Sequence, residues 1–254
     1  MPRCGATVPP VARLLRVSVS RETVEATIRR FDVPDPASTT DAVEALLAAL
    51  AAEPDPPTTV REPAEALDLH IADSLAGLEL PELRAARRIV DLGAGAGFPG
   101  LALAAALPDS QVDLVESTAR KCEVIRRLAT AAGLEARTRA LAVRAEDHAR
   151  GPAAAAYDVA TARALAPLAV ICEYAAPLLR IGGILVAWKG ARAPDEEAAG
   201  SRAATELGLD VPRVLAVSPF PGTKSRHLHV YSKIRDTPRR YPRRTGVAAR
   251  RPID

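Results

Sequence analysis

The stretch that decides the fold is Ile89-Val90-Asp91-Leu92-Gly93-Ala94-Gly95-Ala96-Gly97-Phe98-Pro99-Gly100. Its first four residues predict a short buried strand, and the three alternating glycines after it predict a sharp turn. Pro99 is acceptable in the first turn of a helix, which the apolar run 101–107 continues. A strand, a glycine turn and a helix together open a doubly wound α/β domain, so we expect a ligand at this turn.

Two cofactors compete for the glycine turn. The pattern Gly95-x-Gly97-x-x-Gly100 matches the dinucleotide fingerprint, and Glu116 follows at a suitable distance to hold a ribose. Because the strand ends in Asp91, the turn also resembles motif I of the class I S-adenosylmethionine (SAM) methyltransferases. In those enzymes an acid after the second strand, here Glu116, binds the ribose hydroxyls. We favour SAM over NAD, and we favour either cofactor over a turn that binds no ligand.

Length and composition indicate one large α/β domain with a small appendage. The 254 residues are 48% hydrophobic but only 3% aromatic, so Ala, Leu and Val build the core. The cysteines, Cys4, Cys122 and Cys172, are scattered and indicate neither a metal site nor a disulfide framework. We expect Cys122 and Cys172 in the core. No apolar run is long enough to span a bilayer, which predicts a cytoplasmic protein.

The periodicity of the sequence divides the chain into four parts. Residues 1–36 are a poorly defined N-terminal segment, residues 37–86 a helical extension, residues 87–232 the methyltransferase domain and residues 233–254 a basic tail. The domain alternates strands and helices and ends in two closing strands, which predicts a Rossmann-like, seven-stranded, mostly parallel sheet. No second domain for an oxidoreductase substrate can be placed after it, which counts against NAD.

The helical extension carries three polar residues on an apolar helix predicted over residues 62–80. His70, Asp73 and Ser74 lie three and four positions apart, so they share one side of that helix. The simplest interpretation is a polar helix edge with a local hydrogen bond.

The basic tail concentrates the positive charge of the chain. Residues 233–251 hold eight basic residues and one acid, whereas the formal net charge of the whole chain is only +3. Pro238 and Pro242 favour an extended segment whose charges follow an RNA backbone, and Tyr241 could stack on an unpaired base. The alternative is a solvated, disordered tail. In either case we expect SAM affinity to be independent of the tail.

A series of short motifs resembles the RsmG (GidB) family of ribosomal RNA small-subunit methyltransferases. The series is Val60-Arg61-Glu62-Pro63, His70-Ile71-Ala72-Asp73-Ser74-Leu75, the glycine turn with Phe98-Pro99-Gly100, Arg144-Ala145-Glu146, Thr161-Ala162-Arg163-Ala164, Trp188-Lys189-Gly190, Ser225-Arg226-His227-Leu228 and the basic end from Tyr241. The resemblance covers residues 58–253, and the common order is more specific than any single motif. Pro57-Thr58-Thr59-Val60 departs from the family, which usually has an asparagine-containing segment there.

The resemblance implies SAM-dependent methylation of N7 of a guanine in the 530 loop of 16S rRNA, in the small ribosomal subunit or its precursor. Guanine N7 carries an unprotonated lone pair, so we expect no general base and no metal, only alignment of the reacting groups. The resemblance also implies that Gly93, Phe98, Ala145, Glu146 and Arg163 line the SAM site. From the turn itself we add Asp91, Gly95, Gly97 and Glu116.

The candidates for binding substrate are basic. Arginine offers a planar, bidentate donor fork for phosphate or for the guanine edge, and Lys189 ends a strand on the expected ligand side. The predicted substrate-binding set is Arg144, Arg163, Lys189, Arg226, Arg243 and Arg244, of which Arg144, Arg163 and Arg226 are the candidates for positioning the base.

Three other functions stay open from the sequence alone. The chain could be a SAM methyltransferase of another RNA or of a small molecule, or a nucleotide-binding oxidoreductase. It could also be an inactive RNA-binding protein that retains the fold, because the asparagine-containing segment is missing. Identification of the bound cofactor would separate the oxidoreductase from the methyltransferases.

Overall fold

A seven-stranded sheet forms the centre of the computed structural model, which describes residues 19–253. Cys4 lies outside the described residues. The strands are β1 Arg88–Leu92, β2 Gln111–Glu116, β3 Thr138–Ala142, β4 Tyr157–Arg163, β5 Leu179–Lys189, β6 Arg213–Ala216 and β7 His227–Ser232. They lie in the order β3-β2-β1-β4-β5-β7-β6. The pairs among β1 to β5 are parallel, whereas β7 is antiparallel to both of its neighbours, β5 and β6. The predicted seven-stranded, mostly parallel sheet is confirmed.

The strand order reverses between β1 and β4, and this reversal places the site. The two strands are parallel neighbours, with Asp91 paired to Thr161 in the register. In open α/β sheets, ligands bind outside the carboxyl ends of the strands at such a switch point. The glycine turn after β1 and Arg163 at the end of β4 therefore face the same crevice.

Helices cover both faces of the sheet. Their bounds are α1 Arg21–Ile28, α2 Pro36–Ala52, α3 Pro63–Ala66, α4 Asp73–Leu75, α5 Pro81–Arg84, α6 Gly100–Ala106, α7 Ala119–Ala131, α8 Ala145–His148, α9 Leu168–Ala175, α10 Pro194–Leu207 and α11 Val247–Arg250. Side chains of β1 contribute to two hydrophobic cores, one on each face of the sheet. Ile89 packs with the N-terminal helices, α6 and α7, whereas Val90 and Leu92 pack with α9 and α10. Both faces of the central strands are therefore apolar.

The helical extension belongs to the core of the domain. Val43, Leu46 and Leu50 of α2 are buried in the same cluster as Leu101 of α6 and Ile125 of α7. Each such side chain contributes roughly 1.5–3 kcal/mol on burial. The extension therefore packs against α6 and α7, which allows its residues to form a wall of the site.

The helix predicted over residues 62–80 is interrupted, which corrects the sequence-based expectation. After α3 the chain makes a π-helical segment, Leu67–Ala72, then α4, then a 3-10 segment, Ala76–Glu79. The carbonyl of Leu69 accepts a hydrogen bond of 2.7 Å from Arg163 of β4. A carbonyl of the π-helical segment thus accepts a hydrogen bond from a residue outside the helix. Such π-helical segments often lie at functional sites.

The C-terminal tail is packed against the domain, so the alternative of a solvated, disordered tail is wrong, whereas RNA binding by the tail stays a prediction. Lys233 is buried, and its ammonium donates to the carbonyls of Ala176 and Leu207, where α9 and α10 end. Further along, Arg243 is bonded to the buried carboxylate of Glu173 on α9. These anchors hold the tail over α9 and lead it to α11.

Cys122 and Cys172 are both buried, as predicted. Between residues 19 and 253, no helix combines the length and the apolar character needed to cross a membrane. The same residues contain no group of three or more His, Cys, Asp or Glu side chains arranged to hold a metal ion.

Candidate active site

A cavity of about 580 Å³ lies over the glycine turn, at the carboxyl ends of the central strands. This first cavity is within the range of ~300–1,000 Å³ typical of small-molecule sites. Of the residues predicted to bind the cofactor, seven line it: Gly93, Gly95, Phe98, Glu116, Ala145, Glu146 and Arg163. Asp91 and Gly97 do not.

Asp91 supports the turn from below. Its carboxylate accepts the backbone N–H of Gly100 at 2.9 Å and the hydroxyl of Thr161 at 2.9 Å. Burial raises the pKa of Asp91 to about 6. These bonds tie the start of α6 to β1 and β4, so Asp91 fixes the shape of the turn without touching a ligand.

Gly95 leaves the backbone open to the cavity. Its φ is +58°, and a Cβ atom there would meet only the carbonyl of Gly93, at 3.8 Å. Gly97 differs, because a Cβ atom at that position would meet a side-chain carbon of Leu101 at 2.6 Å. Gly95 thus permits close approach of a ligand, whereas Gly97 permits close packing of the turn on α6.

Glu116 stands at the end of β2, beside the turn. Its side chain accepts the N–H of Gly95 at 3.2 Å and that of Thr118 at 2.9 Å, and Glu116 is only 6% exposed. The hydroxyl of Ser117 also donates to this carboxylate, at 3.4 Å, so of its roughly four acceptor positions one remains for a hydroxyl donor. The fixed carboxylate and the open backbone at Gly95 fit a nucleoside ribose.

His70 forms one side of the cavity and is fixed on three sides. Its ring stacks on Phe98, with centroids 4.8 Å apart and planes 2° apart. The Nδ1 atom lies 3.3 Å from Nη2 of Arg163, and Nε2 lies 3.0 Å from the hydroxyl of Thr58. Because arginine can only donate, Nδ1 is the acceptor and the Nε2–H donates to Thr58.

The protonation state of His70 follows from the same surroundings. Burial, and then the neighbouring charge of Arg163, lower the pKa of His70 to about 4. The imidazole is therefore neutral at neutral pH and does not titrate there.

Asp73 joins the two arginines that the sequence places far apart. Its carboxylate accepts from Nη1 of Arg163 at 2.9 Å and from Nε of Arg226 at 3.1 Å. Its backbone carbonyl accepts from the indole N–H of Trp188 at 2.8 Å. His70 and Asp73 therefore have partners well beyond the expected polar helix edge, whereas Ser74 makes the expected local bond, to the carbonyl of His70.

A second cavity, of about 410 Å³, adjoins the first. The two share His70, Arg163, Ala164 and Ala166 in their walls. The second cavity is further lined by residues predicted to bind substrate, among them Lys189 and Arg226. Three basic side chains and one buried acid therefore surround a space next to the first cavity.

The remaining predicted substrate residues lie elsewhere. Arg144 is exposed and lines the first cavity rather than the second. The guanidinium of Arg243 is bonded to Glu173, in an ion pair whose acid is 1% exposed, instead of facing solvent. Arg244 is exposed on the tail. The structure thus brings together Arg163, Lys189 and Arg226 but not Arg243 or Arg244.

The residues lining the first cavity that were not predicted from the sequence include Thr58, Tyr174 and Ala249. Thr58 lies in the segment that departs from the family pattern, so the resemblance assigns it no role. Tyr174 is one of only four tyrosines in the chain, a weak signal. Ala249 lies in the tail among basic residues, and no sequence pattern connects it to a cofactor site.

Comparison with known proteins gives a family and a fold. The family model for rRNA small subunit methyltransferase G (GidB) matches residues 57–228. A ribosomal RNA small subunit methyltransferase G from Rubrobacter xylanophilus is 42% identical over 202 residues, which cover 76% of this chain and 75% of that protein. A protein of the same name from Deinococcus deserti is 46% identical over 186 residues, covering 72% and 75% respectively.

Two solved structures share the fold at low sequence identity. The SAM-dependent methyltransferase SibL, in its apo form, superposes with a TM-score of 0.55 at 18% identity, covering 84% of this chain and 75% of its own. A SAM-dependent O-methyltransferase from Thermotoga maritima superposes with a TM-score of 0.54 at 15% identity, covering 76% and 72%. At this identity the likeness establishes the class I SAM-dependent methyltransferase fold and nothing finer.

Proposed function

Because the chain belongs to the ribosomal RNA small subunit methyltransferase G family, we propose that it methylates N7 of a guanine in the 530 loop of 16S rRNA. The methyl donor of this family and of this fold is SAM. In the proposal, the first cavity holds SAM, and the small ribosomal subunit or its precursor supplies the guanine to the second cavity.

The observation that carries the proposal is the shared wall of the two cavities. Methyl transfer requires the accepting nitrogen, the methyl carbon and the sulfonium sulfur to lie in a line, and such alignment is worth several kcal/mol. Two adjoining cavities, of about 580 and 410 Å³, separated by His70, Arg163 and two alanines, provide adjacent places for a donor and a purine. An enzyme that bound a single small molecule would need only the first cavity.

The side chains around the second cavity suit a purine that gains positive charge. Arg226 uses Nε on Asp73 and Nη1 on the carbonyl of Ser225, which leaves its Nη2 to donate to an acceptor such as guanine O6. A single donor on O6 leaves N7 free to react. The Nζ atom of Lys189 lies 2.6 Å from Oε1 of Glu196. In this proposal, Lys189 also helps to hold the RNA backbone.

Guanine N7 needs no base to remove a proton, and the groups at the site agree with such a reaction. His70 is neutral, with a pKa lowered to about 4. Asp91, whose pKa is raised to about 6, is only 1% exposed and accepts hydrogen bonds from Gly100 and Thr161. We therefore assign Arg163, Arg226 and Arg144 to positioning and no residue to proton transfer.

Methylation with labelled SAM tests the proposal. The substrates are deproteinised 16S rRNA and intact small subunits, both from cells that lack this modification, and the modified base is then mapped. We expect one methyl group per rRNA, at N7 of a guanine in the 530 loop. Arg213→Met, which breaks an exposed ion pair with Glu82 away from both cavities, is the control and should keep full activity. Label at another base, or transfer only to a small molecule, would contradict the proposal.

A further inference from the structure

The last residues of the chain reach the first cavity. The tail passes over α9, turns at Gly246 and enters α11, where Ala249 lines the first cavity together with Glu146 and Tyr174. Ala248 and Ile253 are buried on either side of that position, at 1% and 8% exposure. The end of the chain is therefore part of the packed structure next to the cofactor site.

A direct hydrogen bond connects the tail to a cofactor-site residue. The backbone N–H of Gly246 donates to Oε1 of Glu146 at 2.8 Å. Glu146 is 2% exposed and lines the cavity at the start of α8. This bond leaves the second carboxylate oxygen for a ligand and fixes the rotamer in which it faces the cavity. The neighbouring Thr245 hydroxyl donates to Asp147 at 2.7 Å, which holds the same turn of α8.

Anchors upstream hold the tail in register with α8. Arg243 donates to the buried carboxylate of Glu173 from its backbone N–H and its guanidinium, at 3.0 Å for both N and Nε. Arg150 donates to the carbonyl of Arg243 at 2.6 Å and to Asp147 at 2.7 Å. The tail thus binds both α9 and the segment after α8, so its position and that of Glu146 are coupled.

We propose that residues 241–253 form a wall of the cofactor site, with Gly246 as the positioning residue for Glu146 and Ala249 as a surface against which SAM packs. The family model ends at residue 228, so this wall lies beyond the residues that the model matches. The proposal takes from the proposed function only the identity of the ligand. It replaces the expectation that SAM affinity is independent of the tail.

The wall is tested by adding bulk at Ala249. Ala249 is exposed, so Ala249→Leu alters the cavity without filling the core, and Arg250→Leu at the next exposed position is the matched control. Binding of SAM and of S-adenosylhomocysteine is measured by calorimetry on the full chain. We expect Ala249→Leu to raise both dissociation constants by tenfold or more and Arg250→Leu to leave them within twofold. Equal affinities for the two variants would overturn the role of Ala249.

The positioning role is tested by releasing the tail. The double variant Arg243→Met/Glu173→Met removes both charges of the anchor together, so no buried charge is left unpaired, and Arg244→Met is the control. We expect the double variant to bind SAM at least fivefold more weakly and Arg244→Met to leave SAM affinity within twofold of wild type. Loss of binding should be smaller when Glu146→Ala is already present, because the tail acts through that carboxylate. Additive losses, or unchanged affinity in the double variant, would overturn the proposal.

These experiments also separate this inference from the proposed function. SAM affinities compared between variants test the wall, whatever substrate receives the methyl group. If wild type binds SAM but methylates another base, the proposed function fails and the wall stands. If rRNA is methylated as proposed while the tail variants bind SAM like wild type, the wall fails alone.

Discussion

Asp73 offers the sharpest test of how the site is built, because one buried carboxylate holds two arginines from distant parts of the chain. We consider Asp73→Asn, which keeps the shape of the side chain and one acceptor oxygen but removes the charge. The side chain of Asp73 is 7% exposed and that of Arg163 is 14% exposed. The substitution leaves the Arg163 guanidinium buried, with the Leu69 carbonyl and His70 Nδ1 as neutral partners.

The expected loss of stability follows from the burial of each arginine. Removing one partner of a buried ion pair costs roughly 3–5 kcal/mol because a buried charge is left unpaired. The side chain of Arg226 is 35% exposed, so solvent screens it and its share is at most about 1 kcal/mol. Since asparagine retains one acceptor, we take the lower end, about 3 kcal/mol. For a chain of this size that corresponds to a melting temperature lower by about 6–12 °C.

Urea denaturation, with thermal melts alongside, measures the loss. The control is Arg213→Met, which removes one partner of an exposed pair with Glu82, with side-chain exposures of 48% and 41%. That change should cost less than about 1 kcal/mol. The double variant Asp73→Asn/Arg163→Met should recover part of the loss, since it leaves no unpaired buried charge. A loss for Asp73→Asn no larger than that of the control would refute the assignment of Asp73 as the link between the two arginines.

Four further outcomes are expected. Gly95→Val should abolish SAM binding in calorimetry, because the added side chain enters the open space above the turn, at a stability cost of about 1–2 kcal/mol for its positive φ; unchanged affinity would mean that SAM binds elsewhere. His70→Gln should make the free energy of unfolding less sensitive to acid. The pKa of His70 is about 4 in the folded chain against an ordinary value of 6.5, so the wild type alone loses up to ~3 kcal/mol of unfolding free energy as the pH falls from 6.5 towards 4. Parallel pH profiles of the two proteins in urea melts would contradict this. The single-turnover rate should be nearly flat over about pH 6.5–8.5, since no base takes part; a steep ionisation in that range, lost on replacing Glu146, would count against it. Arg244→Met and Arg250→Met should each flatten the slope of log K against log salt for single-stranded rRNA by about 0.7 if that residue contacts a phosphate, and unchanged slopes would show that these tail residues do not bind RNA.

The turn and the sheet could be predicted because their causes are local in the sequence. Alternating glycines after an apolar strand allow few backbone conformations, and the acid at Asp91 accepts the N–H of Gly100 only nine residues later. Glu116 follows the next strand of the same unit. Of the seven predicted cofactor residues that line the first cavity, Gly95 and Glu116 came from this local pattern, whereas the other five came from the family resemblance.

The interruption of the helix over residues 62–80 could not be predicted, since its cause lies on another element. Arg163, on β4, donates to Leu69 and Asp73, about ninety residues earlier in the chain. Helix periodicity describes which side of a helix is apolar, but it contains nothing about a guanidinium arriving from a strand. The polar helix edge expected from the sequence thus contributes His70 to the wall that the two cavities share and Asp73 to the lining of the second cavity.

The tail shows why a count of charges does not reveal their use. Lys233, Arg240 and Arg243 bind partners on or at the ends of α9 and α10. The partner of Arg243 is Glu173, which lies seventy residues earlier in the chain. Glu173 lies in an apolar run, where a buried acid requires a cation to stay charged, and that cation was among the residues first assigned to RNA. The charge available for RNA is therefore smaller than the composition indicates and is concentrated in exposed arginines such as Arg244 and Arg250. Because the same segment carries Ala249 to the first cavity, RNA that displaced the tail would also displace a residue of that wall, so SAM and RNA should bind with linked affinities if the proposed wall is correct.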